Sequence, residues 1–340
     1  MNIQDYATKV VGAALRHDFG IPLGVIGRNV NEVLDIVEDF ETSNHVSKWQ
    51  QRVSQISEEI TKIEAELYVE FKGFGGNIGN LGDFEREREY SKIRKSLSPK
   101  MIRLSEQCKI LYKLSDDIRD TDVTVLSGQA LSASRRIVNM FGGLSHFIRV
   151  GEISDEIFVP TDIRELASRN VATVRISKLN SALSVTPTLN GDATVECISS
   201  HLDQLIQNYI SNAVKFSSLS EKPSVSINLG ETSFGELSRK YRQKVGKFAG
   251  RGTWAEIVVA DNGPGVDMEI RGSLFKLYSQ RKPDRLEFDS TGVGLAVCQL
   301  VSHIHGGFVF FEREDDLTKF VALLPCKREH RIELVLNPSV

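Results

Sequence analysis

The sequence predicts an α+β protein: a bundle of long helices over residues 1–150, then an α/β layer domain over residues 161–326. Three observations predict it. Apolar residues recur at steps of three and four through the first half. Glycine and proline break the pattern near residues 150–160. Beyond that break, β-branched and aromatic runs alternate with two strongly apolar helices.

The helices come first. Phe19, Leu23, Ile26, Val30, Val33, Val37 and Phe40 trace one apolar seam. Val46, Trp49, Val53, Ile56, Ile60, Ile63 and Leu67 trace a second. Leu97, Met101, Leu104, Cys108, Leu111 and Ile118 trace a weaker third. Leu126, Ala130, Ala133, Ile137, Met140, Leu144 and Phe147 trace a fourth, on a helix expected over 122–150. Four such faces fit a bundle. Glycines and asparagines in KGFGGNIGNLGDF, residues 72–84, mark a connection. Gly151 and Pro160 then bound a linker over 151–160. Asp162 with Glu165 has the spacing of a capping box that opens a new helix. In the second half, ATVRIS, SVSINL and AEIVVAD read as strands. GFVFFE and KFVALLP read as a hairpin. Helices are expected over 199–216 and 292–304, and residues 327–340 form a tail.

Composition excludes several classes. The net charge of −3 provides no strong field toward nucleic acid. SFGELSRKYRQKVGKFAGRGTW, residues 233–254, is basic, but its aromatics form no stacking pattern for nucleic acid, so the 232–253 insertion reads as a solvated loop between strands. Cys108, Cys197, Cys298 and Cys326 lie far apart, which argues against zinc or a disulfide framework and suits a reducing cytosol. No apolar run is long enough to span a bilayer, and no secretory leader is evident, so a cytoplasmic protein is expected.

Three stretches of the second half carry chemistry. In LIQNYISNAVKFSS, Asn208 and Asn212 are four apart on one helix face, with Lys215 beside it. Amide oxygens suit magnesium, and an ammonium suits phosphate. In VVADNGPGV, a strand ends in Asp261, followed by Gly263 and Gly265. A carboxylate there can accept a hydrogen bond from an exocyclic amine, and glycines let a flat ring approach the backbone. In DSTGVGLAVCQL, Gly292 and Gly294 open a helix whose N–H groups can bind phosphate. Singly, the three also fit a polar helix face, an ordinary turn and a glycine-rich cap.

In this order and spacing the stretches resemble the N, G1 and G2 boxes of the GHKL ATPase superfamily, which includes histidine kinases, over roughly residues 160–325. SLFKLYSQ, with Phe275, falls where histidine kinases carry the F box, and residues 281–289 fall where they carry a mobile lid. The resemblance implies a Bergerat-type α/β sandwich that binds ATP and magnesium. Asp261 would read the adenine amino group, Asn212 would hold magnesium, and Asn208 would support the phosphate side with Lys215. Gly263, Gly265, Thr291, Gly292, Gly294 and Leu295 would shape the cleft. Ser290 departs from the usual first glycine of the G2 box, which implies altered lid behaviour.

Near the N-terminus, HDFGIPL resembles the histidine-kinase H box. With Leu23, Val30 and Val37 as a positions and Phe19, Ile26 and Val33 as d positions, His17 takes a solvent-facing b position. The resemblance makes His17 the phosphoacceptor. Asp18 would accept a hydrogen bond from the other ring nitrogen. Pro22 is expected to bend the helix. It further implies a homodimer through the helices, a response-regulator receiver domain as partner, and input through a separate sensory protein or the helices themselves. Residues 43–121 are an insertion between the two expected hairpin helices, long enough for an extra helical hairpin. It could lengthen the bundle, receive a signal or cap a partner site. Gly20, Ile21 and Ser290 depart from the kinase pattern. They keep open a catalytically weak scaffold or phosphotransfer protein, beside a GHKL ATPase that hydrolyses ATP to drive conformational change.

Overall fold

A computed structural model describes residues 18–39, 44–73, 83–151, 157–177, 187–245, 248, 250–277 and 292–330. They form two compact units, one of helices up to Ile148 and one from Arg149 onward.

The first unit consists of α1 (Gly20–Glu38), α2 (Asn44–Gly73), α3 (Asp83–Ile118) and α4 (Thr121–Gly151). Helix α1 packs on α2, and α2 on α3. Asn29 of α1 donates from its amide to Gln129 Oε1 of α4 at 2.9 Å. Ser134 of α4 reaches the Ser105 hydroxyl of α3 at 3.3 Å. The seams form the core: Leu23, Ile26, Val30, Val33 and Val37 meet Val53, Ile60, Leu67, Leu104, Ile137 and Leu144, all buried. The buried stripe of α4 is wider than its seam. It includes Val123, Leu131 and Phe141, whereas Leu126 and Ala133 are half-buried. A helix in a bundle buries a broader face than the a/d pair alone. Trp49 is half-buried. Phe40 and the Val46 side chain lie outside the described residues.

One expectation is corrected here. The helix was expected to bend at Pro22; His17 lies outside the described residues. Among the described residues, α1 instead begins at Gly20, with Phe19 at its cap. Pro22 therefore sits in the first turn, where an N–H has no helical acceptor, and its missing donor costs nothing.

The second unit runs β1 (Val159–Asp162), α5 (Ile163–Ser177), β2 (Thr188–Asn190), β3 (Thr194–Cys197), α6 (Ser199–Ser217) and β4 (Val225–Ser233). Then follow α7 (Phe234–Lys240), α8 (Arg242–Val245), β5 (Thr253–Asp261), a 3₁₀ turn (Met268–Ser273), α9 (Gly294–Ile304), β6 (Phe308–Glu314), β7 (Leu317–Pro325) and a final 3₁₀ turn (Arg328–His330). The main sheet has the order β2-β4-β5-β7-β6, and β1 pairs with β3 in a separate ribbon. Only β2 and β4 run parallel; β4, β5, β7 and β6 are antiparallel. Helices α5, α6 and α9 pack together, and α6 and α9 lie on the sheet. Asp162 caps α5, accepting from the backbone N–H of Arg164 at 2.8 Å.

Two strand-and-loop readings are corrected. ATVRIS, residues 172–177, is the last turn and a half of α5, not a strand. Its β-branched residues suggested a strand, but Leu166, Asn170 and Val171 are buried at helical spacing, so packing outweighs propensity. The 232–253 insertion is not simply a solvated loop. It carries α7 and α8, whose Phe234, Leu237, Tyr241 and Val245 form a core with Trp254, Phe310, Val321 and Leu323 on the sheet. Ser233 and Glu236 form a capping box at the start of α7.

Candidate functional site

Strand β5 delivers the central group. Side chains alternate along a strand, so Asp261 lies on the same face as Ala255, Ile257 and Val259, while Trp254 and Val258 point into the α7–α8 core. Asp261 is buried, with 2% of its surface exposed. Its Oδ1 accepts from the Gly263 N–H at 2.8 Å. Its Oδ2 is buried and has no hydrogen-bond partner among the described residues. Burial pushes the carboxyl up from 3.8 to about 6, against the opposing pull of the Gly263 N–H and the Arg313 charge. A buried acceptor without a donor is costly, and a ligand donor would satisfy it.

The loop after Asp261 is shaped by close approach. A Cβ on Gly263 would lie 2.7 Å from the Phe216 carbonyl oxygen, so the end of α6 touches this loop through a gap only glycine fits. Gly265 has φ +85°, which favours glycine. Asn262 ties the loop to the segment after α6, accepting from Ser224 N–H at 2.9 Å and donating to the Lys222 carbonyl at 2.7 Å. Arg313 donates to the Gly263 carbonyl at 3.0 Å and to the Thr318 hydroxyl at 2.8 Å.

Helix α6 links this loop to the glycines before α9. Asn208 donates to the Gly294 carbonyl at 3.0 Å. A Cβ on Gly294 would approach Asn208 Oδ1 to 3.1 Å. Gln204 in turn donates to Asn208 Oδ1 at 3.3 Å. Asn208 therefore braces the start of α9. From Asn208 to Phe216 the helix rises about 12 Å, which sets the spacing between the Asp261 loop and the Gly294 helix start. Asn212 and Lys215, both half-buried, lie between them along α6. Gly292 has φ +66°. Leu295 and Phe275 are half-buried, and Phe275 follows the 3₁₀ turn.

The structure thus brings Asp261, Gly263, Asn208 and Gly294 into one linked arrangement, with Asn212 and Lys215 on the connecting helix. Thr291, Ser290 and the 281–289 segment lie outside the described residues. So does His17; Asp18 is half-buried just before α1. Sequence reasoning missed Arg313, Thr318 and Asn262. Asn262 sits inside the quoted VVADNGPGV and could have been found. Arg313 and Thr318 flank a hairpin turn, and only strand pairing places Thr318 opposite Asp261.

Residues 197–328 match the family described as histidine kinase-, DNA gyrase B-, and HSP90-like ATPase. The match is confined to the C-terminal domain. Relatives of the chain include Hybrid signal transduction histidine kinase D of Dictyostelium discoideum, 23% identical over 62% of this chain and 15% of that protein. Cyanobacterial phytochrome A of Nostoc is 32% identical over 36% of this chain and 13% of its own length. Histidine kinase 5 of Arabidopsis thaliana is 27% identical over 47% of this chain and 18% of its own. The chain therefore spans less than a fifth of each of these three proteins. Among solved structures, full-length ShkA in complex with AMPPNP is 18% identical, with a TM-score of 0.46 over 70% of this chain and 45% of that one. The Mycobacterial sensor histidine kinase MprB is 23% identical, with a TM-score of 0.38 over 50% of this chain and 99% of that one.

Proposed function

We propose that the chain is a histidine protein kinase that uses Mg-ATP to phosphorylate His17 and passes the phosphoryl group to an aspartate of a response-regulator receiver domain. The observation that carries the reading is Asp261. Its buried Oδ2 has no hydrogen-bond partner among the described residues, in a domain similar to a family of ATPases. The adenine amino group would donate to that oxygen. The Gly263 gap and the left-handed Gly265 would let the flat base lie against the backbone.

The rest of the assignment follows the same helix. Lys215 would meet phosphate oxygens. The Asn212 amide oxygen is a hard ligand suited to magnesium, which would neutralise phosphate charge. Asn208 holds Gly294, so that the α9 N-terminus stays open to the terminal phosphates. Asp18 would hold the His17 imidazole in the tautomer whose free nitrogen attacks the γ-phosphorus in line, and the departing ADP oxygen takes the displaced charge. The family as a whole implies dimerisation and a receiver-domain partner. No helix among the described residues is long and apolar enough to cross a membrane, and a cytoplasmic location is part of the proposal.

The test is incubation with γ-labelled ATP. Acid-labile label on the wild-type chain, absent from His17→Ala, is expected. Phosphate release without label would mean a conformational ATPase. Neither label nor release would mean a kinase-like scaffold.

A further inference from the structure

Three side chains stand in a row across the sheet where β5 ends. Asp261 of β5 is in register with Thr318 of β7, and Thr318 is in register with Arg313 of β6. Residues directly opposite each other on neighbouring strands present their side chains to the same face. Carboxylate, hydroxyl and guanidinium therefore share one face of the sheet. Asp261 and Thr318 are both buried. On its other side Asp261 faces Val225 of β4.

One nitrogen of Arg313 ties this row to the loop that follows β5. Its Nη1 donates to the Thr318 hydroxyl at 2.8 Å and to the Gly263 carbonyl at 3.0 Å. A terminal guanidinium nitrogen carries two hydrogens, so both are used. The same guanidinium runs along the loop: a Cβ on Gly265 would stand 3.4 Å from Nη1 and 3.5 Å from Cζ. The Gly263 N–H is meanwhile held by Asp261 Oδ1. Both polar backbone groups of Gly263 are thus fixed, one by the carboxylate and the other by the cation whose charge acts on that carboxylate.

A surface ion pair does not account for this placement. Arg313 Nη2 is 3.9 Å from Asp316, whose side chain is fully exposed, and an exposed pair at that distance contributes little. The two short bonds go instead to a buried hydroxyl and to the loop beside Asp261.

We propose that Arg313 is a positioning residue for the nucleotide base: it holds the Gly263–Gly265 loop against β7 and sets a positive charge beside Asp261, so that Oδ2 is presented as a carboxylate acceptor. The inference rests on the reading of Asp261 as the adenine contact. Arg313 acts through Asp261 and the loop, not by touching the nucleotide. The surroundings of Asp261 leave this role to it. Burial pushes the carboxyl up, while the Gly263 N–H and the Arg313 charge pull it down. Thr318 and Val225 are neutral, and α6 brings the Phe216 carbonyl to the gap at Gly263. Without the Arg313 charge, burial pushes the carboxyl further up.

Calorimetry of Mg-ATP binding to the full chain at pH 6.5 and pH 8.5 tests the proposal without any phosphoryl transfer. Each variant is compared with the wild type at the same pH. Arg313→Met removes the charge and both donors at similar length. It should bind ATP about tenfold more weakly at pH 6.5 and at most about threefold more weakly at pH 8.5, where the carboxyl ionises unaided. Arg313→Lys keeps a charged nitrogen that can donate to both oxygens, and it should keep the wild-type pH profile. Unchanged affinity in Arg313→Met, a loss equal at both pH values, or an Arg313→Lys chain with the profile of Arg313→Met overturns the proposal. Asp261→Asn separates the two layers of the argument. If that chain binds ATP as tightly as the wild type, the adenine reading fails and the proposal with it. If it loses ATP while Arg313→Met does not, the role of Arg313 alone fails.

Discussion

Asp261→Asn should separate stability from binding. Ionising this carboxyl in place costs free energy, because burial holds it at about 6 instead of 3.8. That difference corresponds to about 3 kcal/mol at neutral pH. The sign follows from proton uptake. Between about 4 and 6 the folded state binds more protons at this site than the unfolded chain, so stability falls as pH rises through that window and stays low above it. Asparagine carries no charge, and its Oδ1 can still accept from the Gly263 N–H. Its Nδ2 becomes a buried donor where Oδ2 had no partner, which costs about 1–2 kcal/mol. The net expectation is a nucleotide-free domain more stable by about 1–2 kcal/mol at pH 7.5, with the advantage shrinking toward pH 4. Nucleotide binding should be lost, because the amide nitrogen would face the adenine amino group donor to donor. Thermal denaturation with and without ATP, followed by calorimetry, measures both effects. A mutant that binds ATP as tightly as the wild type would refute the role of Oδ2. A mutant less stable than the wild type at pH 7.5 would refute the claim that the carboxylate is poorly compensated.

Gly263→Ala should destabilise the ATPase domain by about 1–3 kcal/mol, since its Cβ would stand 2.7 Å from the Phe216 carbonyl oxygen; an unchanged denaturation midpoint would contradict the close approach. Glu64→Gln should raise the melting temperature of the helical unit at pH 8 but not at pH 4.5, because burial holds the Glu64 carboxyl at about 7 against 4.5, and its charge is a penalty only above that window; an equal gain at both pH values would point to packing instead. Phosphatase activity toward a phosphorylated receiver domain should be weak or absent. Ile21 lies four residues after His17 and is 62% exposed, and it has no polar atom to orient water. Rapid dephosphorylation in the presence of ADP, unaffected by Ile21→Ala, would show that another residue positions the water.

Much of this architecture was legible in the sequence where a period or a box was long enough to be unambiguous. Among the described residues, the seams of α1 to α3 bury every residue that the three- and four-residue steps selected except Trp49, which is half-buried. Asn208 and Gly294 were both assigned to one cleft by resemblance, but their direct hydrogen bond was not expected. What the sequence did not yield was set by tertiary partners. Val171 and Thr173 have strand-favouring side chains, but the face that includes Leu166 and Asn170 kept them helical. Arg313 carries no local signature; it becomes part of the site only because β6 and β7 bring it beside Thr318 and the Gly263 carbonyl.

The α7–α8 insertion shows the difference between a missed signal and an absent one. Phe234, Leu237, Tyr241 and Val245 step by three and four, the same pattern that revealed the long helices. Its density of Arg and Lys drew attention away from that period. In the fold those charges lie outward on Arg239, Lys240, Arg242 and Lys244, while the apolar side covers the sheet face opposite Asp261. Tyr241 donates to Glu256 of β5, and Lys240 pairs with the same carboxylate at 2.7 Å. The strand that ends in Asp261 is thereby packed on both faces. A buried charge that costs about 3 kcal/mol needs a scaffold stable enough to hold it, and the insertion supplies part of that stability from the face away from the site.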